Sequence, residues 1–320
     1  MKGKVFLYRS GFRPRRVEGY RWLRSDGTPN FSDHVYRREG SIVKVAKTNL
    51  KTASSTTPIL ELAETMTYNN IRSIPVINSK LELEGLVLAT NIVNYVGGGD
   101  LYNIVVERHN KNIYSALKEP ASTIMIRNPI IAYITDKITS VIEKMILEGI
   151  GVIPILDEEN KIYGIVTERD FVEYFAGKEE IGVKVLDVMS KNVITIERNS
   201  TLKKAAETMI KLGFRRLPVV EDDKIIGMIT AKDIVKFIGN HEIFKKTISG
   251  NIEEALNIPV IEIANKFVYT VNPSIDVSQA ARYMMEKGIS SLLVVEDEKL
   301  VGIVTERDIL YGILTRGRRE

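Results

Sequence analysis

There is no cysteine in these 320 residues. Disulfides, thiolate nucleophiles and cysteine-based zinc sites are excluded with it. Histidine is nearly as scarce. His34, His109 and His241 are scattered without ligand spacing and read as solvated or lightly packed side chains, so no metal site is expected. No apolar run approaches the roughly 18 residues that span a bilayer, and the start of the chain shows no signal-peptide core. A cytoplasmic protein with no membrane association is expected. What is present is ordinary for a soluble globular chain: 44% hydrophobic and 27% charged residues, a balance unlike that of disordered proteins. The length suits about two domains. Abundant Lys, Glu and Ile without cysteine match thermophile usage.

The net charge of +4 is unevenly placed. Residues 1–40 hold ten Lys/Arg against four acids, a net +6, which leaves −2 on the remainder. In this basic segment the charges alternate with Phe6, Tyr8, Phe12, Tyr20, Trp22, Phe31 and Tyr36. Two readings stand. Cations interleaved with aromatics suit single-stranded nucleic acid through phosphate charge and base stacking. A short arm whose aromatics pack on the main body, with its arginines in water, suits the same residues.

From Ser41 onward the chain repeats itself. Gly164–Asp170 and Gly302–Asp308 both read GIVTERD, Gly227–Asp233 reads GMITAKD, and Gly85–Asn91 reads GLVLATN. Upstream, Pro75, Pro154, Pro218 and Leu293 hold one register; Asn70, Gly149, Gly213 and Gly288 lie five residues before them, and Met66, Met145, Met209 and Met284 nine before. Such register in four copies marks an internal repeat. A longer period lies above it. The connector from Asn112 to Pro120 matches that from Asn251 to Pro259, 139 residues later. A unit of two repeats and a connector is itself duplicated, with the boundary near Gly177–Gly182.

The third copy shows what one repeat is. Val193–Ile196 predicts a short strand. Ser200-Thr201 caps a helix through Leu212 whose face is Leu202, Ala205, Ala206, Met209 and Ile210. Gly213 suits a left-handed helix exit. Leu217–Val220 is a strand with proline tolerable near its start. The stretch Glu221–Lys224 turns into a returning strand Ile225–Ile229, and Thr230 opens a helix from Ala231 to about Ile238. Strand, helix, strand, strand, helix make an α/β (α+β) unit of about 55 to 60 residues. A unit that small buries little core alone and should pair with a neighbour.

Thr followed three residues later by Asp at a strand-to-helix junction fits a capping box, which by itself explains its recurrence. The same geometry permits ligand binding. Free N–H groups at a helix start attract anions, and a carboxylate beside them can accept hydrogen bonds from both hydroxyls of a ribose. Basic side chains recur close by.

The order strand–helix–strand–strand–helix, with an apolar-Pro-apolar strand and Gly-apolar-apolar-Thr-x-x-Asp, resembles the CBS domain, named after cystathionine β-synthase. The resemblance covers about residues 42–315. It implies four CBS repeats forming two paired Bateman modules: residues 42–178 with repeats at about 42–97 and 120–176, and residues 179–320 with repeats at about 183–239 and 259–315. Residues 1–41 are then a basic N-terminal extension. It also implies clefts that bind an adenosine compound, AMP, ADP, ATP or S-adenosylmethionine, as a regulatory ligand. On that resemblance Thr167, Asp170, Thr230, Asp233, Thr305 and Asp308 hold ribose. Arg72, Arg169, Arg215, Arg216, Lys232 and Arg307 reach phosphates. Ile130, Ile150, Ile194, Phe214, Tyr269 and Ile289 sandwich the base. The first repeat departs from the pattern, with Leu88 and Asn91 where Thr and Asp belong. The fourth has Ser290-Ser291 and the second Gly151-Val152 where the third has Arg215-Arg216. At most three sites are expected, the best in the second module.

The function implied is a regulatory nucleotide sensor that signals to a protein partner or to the basic extension; a homodimer is compatible with it. The alternative is nucleic-acid binding by residues 1–40, gated by the repeats. Catalysis is not expected. In the family such pairs are appended to enzymes such as inosine monophosphate dehydrogenase, but here no room remains for a barrel and no nucleophile–base set appears.

Overall fold

The computed structural model describes residues 30–177 and 179–314. Residues 1–29, which carry most of the basic aromatic segment, lie outside the described residues, and so does any nucleic-acid contact expected of them. Of the described part, Phe31 and Val35 are buried, and Ser32 N–H donates to the Leu314 carbonyl at 2.7 Å.

The third repeat folds as its sequence dictates. Helix Leu202–Leu212 starts where the Thr201 hydroxyl accepts from Lys204 N–H at 3.1 Å, and its five buried residues are Leu202, Ala205, Ala206, Met209 and Ile210. Gly213 ends it at φ 71°, and the equivalent Gly149, Gly288 and Asn70 stand at 66°, 64° and 57°, a left-handed exit that glycine and asparagine tolerate. Strands Arg216–Glu221 and Lys224–Thr230 form an antiparallel hairpin. Its turn residues Asp222 and Asp223 both have positive φ, the geometry that matches the twist of paired strands. The entry strand is Ile196–Glu197, parallel to Val219–Val220, shorter than the expected Val193–Ile196. The reason is that the chain before Ile194 is engaged elsewhere: Ser190 bridges Ile303. Repeats two and four have the same three-stranded order. In the first repeat the entry strand shrinks to a single bridge, Ala53 to Val76.

Two groupings of the repeats coexist. Each repeat's lead-in segment crosses to the closing strand of the other repeat in its half of the sequence. Lys47 bridges Ile165 and Ile126 bridges Leu86; Ser190 bridges Ile303 and Asn265 bridges Met228. This is why glycine recurs in all four closing strands. A Cβ on Gly164, Gly85, Gly302 or Gly227 would stand 2.9 to 3.1 Å from the carbonyl oxygen of the crossing residue.

Compact packing follows the other grouping, which the sequence halves at about residue 178 do not show. Of the described residues, one unit holds Leu50–Pro129 and Ile194–Phe267, the first and third repeats; the other holds residues 30–49, 130–193 and 268–314, the second and fourth. The physical cause is helix packing. In the first unit Ile59–Tyr68 lies against Ala231–Gly239 so closely that a Cβ on Gly239 would be 2.5 Å from the Ala63 carbonyl. The two connectors also meet there, with Ile113 N–H donating to Gly250 and Ile252 N–H to Lys111, each at 2.9 Å. In the second unit helices Glu168–Ala176 and Glu306–Leu314 pack on each other.

Candidate functional site

Every copy of the motif is a helix cap, and the acidic residue does most of the capping. In the third repeat Thr230 N–H and Thr230 Oγ1 both donate to Asp233 Oδ2, at 2.8 and 2.6 Å, and Asp233 N–H returns to Thr230 Oγ1 at 3.2 Å. Thr167 reaches Asp170 Oδ2 twice at 2.7 Å, and Thr305 reaches Asp308 Oδ2 at 2.8 and 2.7 Å. In the first repeat Leu88 N–H donates to Asn91 Oδ1 at 2.7 Å, so the amide keeps the cap without the charge. One carboxylate oxygen is therefore structural. The other decides what each site can do.

The second oxygens differ. Asp170 Oδ1 is met by the Lys47 ammonium at 2.7 Å, and its side chain is 4% exposed. Asp233 is only half-buried, and among the described residues its Oδ1 has no side-chain or backbone partner. Burial holds the Asp233 carboxyl above the ordinary aspartate range, against the lowering effect of the Thr230 hydrogen bonds and of Lys232 and Lys236. Asp308 is half-buried as well.

The basic residues fall into two classes. Arg169 donates to the Glu306 carboxylate and the Ile289 carbonyl. Arg307 mirrors it, with Nε on Glu168 at 2.5 Å and Nη2 on the Gly149 carbonyl at 3.0 Å. The two verbatim GIVTERD copies thus interlock, each arginine crossing to the other's glutamate. Lys232 reaches the side chain of Asn70, the first-repeat counterpart of Gly149. Strand register sets Arg216 directly opposite Thr230. Cross-strand partners project to the same face, so this guanidinium stands beside the motif. Val152, Ser291 and Ser73 occupy that place in the other repeats. Arg72 and Arg215 are half-exposed, and their carbonyls accept from Ala89 and Ala231 N–H at 2.9 Å.

Of the residues expected against the base, Ile194 is 40% exposed and Phe214 packs partly on the core of the first unit. Ile150 is buried, Ile130 and Ile289 are half-buried, and Tyr269 stands edge-on to Tyr283 at 5.9 Å. The third-repeat set, Ile194, Phe214, Arg215, Arg216, Thr230, Lys232 and Asp233, falls wholly within one compact unit. Sequence reasoning passed over Glu168, Glu306 and Lys47. The signal for the glutamates was visible: Glu-Arg stands in the two identical copies and Ala-Lys in the third. Among the described residues no group of histidine and carboxylate side chains gathers as a metal site, and no helix is long and apolar enough to cross a membrane.

The family is settled by comparison. A model of the CBS domain matches residues 42–98, 121–177, 185–240 and 260–315, and the chain belongs to the CBS-domain family. Protein MJ1225 of Methanocaldococcus jannaschii is 32% identical over 272 residues, 84% of this chain and 97% of that one. Its crystal structure, likened to g-AMPK as an archaeal counterpart, aligns with a TM-score of 0.81 over 85% of this chain and 99% of that one. A 33.4 kDa protein in the ribosomal RNA operon of Thermofilum pendens is 30% identical over 261 residues, 82% of this chain and 87% of that one. A conserved protein from Pyrococcus horikoshii, 19% identical, shares the fold at a TM-score of 0.56, covering 86% of this chain and all of that one.

Proposed function

We propose that this protein is a regulatory sensor of an adenosine compound, AMP, ADP, ATP or S-adenosylmethionine, and that its third repeat holds the principal site. The observation that carries this is Asp233. Its Oδ2 is fixed by Thr230, while its Oδ1 keeps acceptor capacity on a half-buried carboxylate at the start of a nine-residue helix. Arg216 across the hairpin supplies positive charge for a phosphate, and the exposed side of Ile194 with Phe214 supplies apolar surface for the base. Nothing in this set is a nucleophile with its base, so the chemistry offered is recognition. Ligand binding would shift the protein between states read by a protein partner, a coupling of about 1–3 kcal/mol. The expected setting is the cytoplasm.

Asp233→Asn is the test, since Asn91 shows that an amide preserves the cap. Calorimetric titration with AMP, ATP and S-adenosylmethionine should show affinity falling about 10- to 100-fold, the worth of a charge-assisted hydrogen bond, with the fold intact. An unchanged dissociation constant for the bound compound removes Asp233 from the site.

A further inference from the structure

Four lead-in residues stand in equivalent places, each crossing a closing strand beside its glycine: Lys47, Ile126, Ser190 and Asn265. Each therefore passes close to one motif helix, carrying Asp170, Asn91, Asp308 and Asp233 respectively. Only Lys47 is charged. The Asn265 side chain instead turns back to accept from Phe267 N–H at 2.9 Å, and Ile126 brings no polar group.

Lys47 meets Asp170 Oδ1 at 2.7 Å and lies 3.5 Å from Glu173 on the same helix. Since Thr167 already makes two hydrogen bonds to Oδ2, both oxygens of Asp170 are engaged. The side chain is 4% exposed, whereas Asp233 and Asp308 are half-buried. A ribose binds such a carboxylate by directing its two hydroxyls onto it. Here the ammonium takes the place of those hydroxyls. Partial burial works against the lysine's charge, but the two acids outweigh it and hold its pKa above the usual value, so it stays protonated near neutrality. Arg169, the other group that could greet a nucleotide there, is committed to Glu306 and Ile289.

We propose that Lys47 closes the second repeat to adenosine compounds, acting as a specificity-determining residue that leaves binding to sites such as that of Asp233, whose carboxylate keeps an open oxygen. The proposal rests on the reading of the protein as an adenosine-compound sensor and deepens it. The lysine belongs to the lead-in of the first repeat, so the repeat that lost its own carboxylate also closes its neighbour's.

The number of AMP molecules bound per chain, measured by calorimetry and native mass spectrometry on the full chain, tests it. Asp170→Asn should bind as many as the parent, because that carboxylate is already occupied. Lys47→Met should bind one more, and the Lys47→Met/Asp170→Asn double variant should return to the parental count. A lower count in Asp170→Asn overturns the proposal, as does an unchanged count in Lys47→Met with a parental melting temperature. If Lys47→Met fails to fold, Lys47→Gln serves, since this side chain is 57% exposed. Failure of the functional reading looks different. In that case the parent binds no AMP, ATP or S-adenosylmethionine and Asp233→Asn changes nothing, while a site gained in Lys47→Met still stands as evidence for the lysine; no site gained there overturns both.

Discussion

The two compact units are built from the same repeats and have taken opposite courses at the same helix start. In the unit of repeats two and four, both copies read Glu-Arg-Asp, and each arginine crosses to the other's glutamate. In the unit of repeats one and three, the copies read Ala-Thr-Asn and Ala-Lys-Asp, and the single cation of the pair reaches the Asn70 side chain instead of a glutamate in the other copy. The first arrangement needs both copies to be alike, because a reciprocal pair is satisfied only when each side offers both charges. The second places no such demand. Released from it, one copy lost its carboxylate and the other kept an aspartate with an oxygen to spare. Verbatim repetition here marks mutual support, and the proposed ligand site sits where the copies diverged.

That contrast is open to direct attack. The largest effect is expected from Glu168→Ala or Glu306→Ala. Breaking a fully buried ion pair costs about 3–5 kcal/mol; these glutamates are 10% exposed and their arginines 17% and 25%, so about 2–3 kcal/mol is expected by denaturant titration. Lys232→Ala, the matching change in the other unit, should cost less than about 0.5 kcal/mol. Equal losses in the two units would erase the distinction. The double variant Glu168→Ala/Arg307→Ala should be less damaged than its single-site costs add up to, because the orphaned charge goes with its partner.

Next in size is Gly239→Ala. It leaves the interlocked unit untouched and presses a methyl onto the Ala63 carbonyl, which is backbone and cannot swing aside. Overpacking of this kind costs about 1–3 kcal/mol, readable as a lowered melting temperature. A neutral outcome would mean that the two helices separate without cost.

The smallest effect concerns pH. Burial raises the Asp233 carboxyl pKa in the folded protein, so its contribution to stability is fullest below the ordinary aspartate pKa and is lost as pH rises through the raised value. Asp233→Asn should therefore gain stability relative to the parent between acid and neutral pH. The same change is expected to weaken ligand binding. A constant difference across that range would show that the carboxylate is not desolvated.

Much of the fold was legible because its signals are local. The spacing of Leu202, Ala205, Ala206, Met209 and Ile210 names a helix face, and all five are buried. Gly213 announces a left-handed exit and provides one. The motif was legible in place but only partly in role. Threonine looked like the cap and aspartate like the ligand contact, whereas the aspartate caps as well, through one oxygen, and leaves the other for the proposed contact. What the sequence hid is nonlocal. Arg169 and Arg307 read as phosphate contacts until Glu306 and Glu168, more than a hundred residues away, were seen to hold them. Lys47 carries no motif at all; its position follows from the crossing of one lead-in over another repeat's strand.

That crossing has a consequence for ancestry. The glycine of each closing strand is a notch cut for a neighbour's backbone, Gly85 for Ile126 and Gly164 for Lys47, then Gly302 for Ser190 and Gly227 for Asn265. A repeat excised from its half would carry an empty notch and a stray lead-in. The smallest heritable module is accordingly a pair, and a pair with its connector is what recurs after 139 residues.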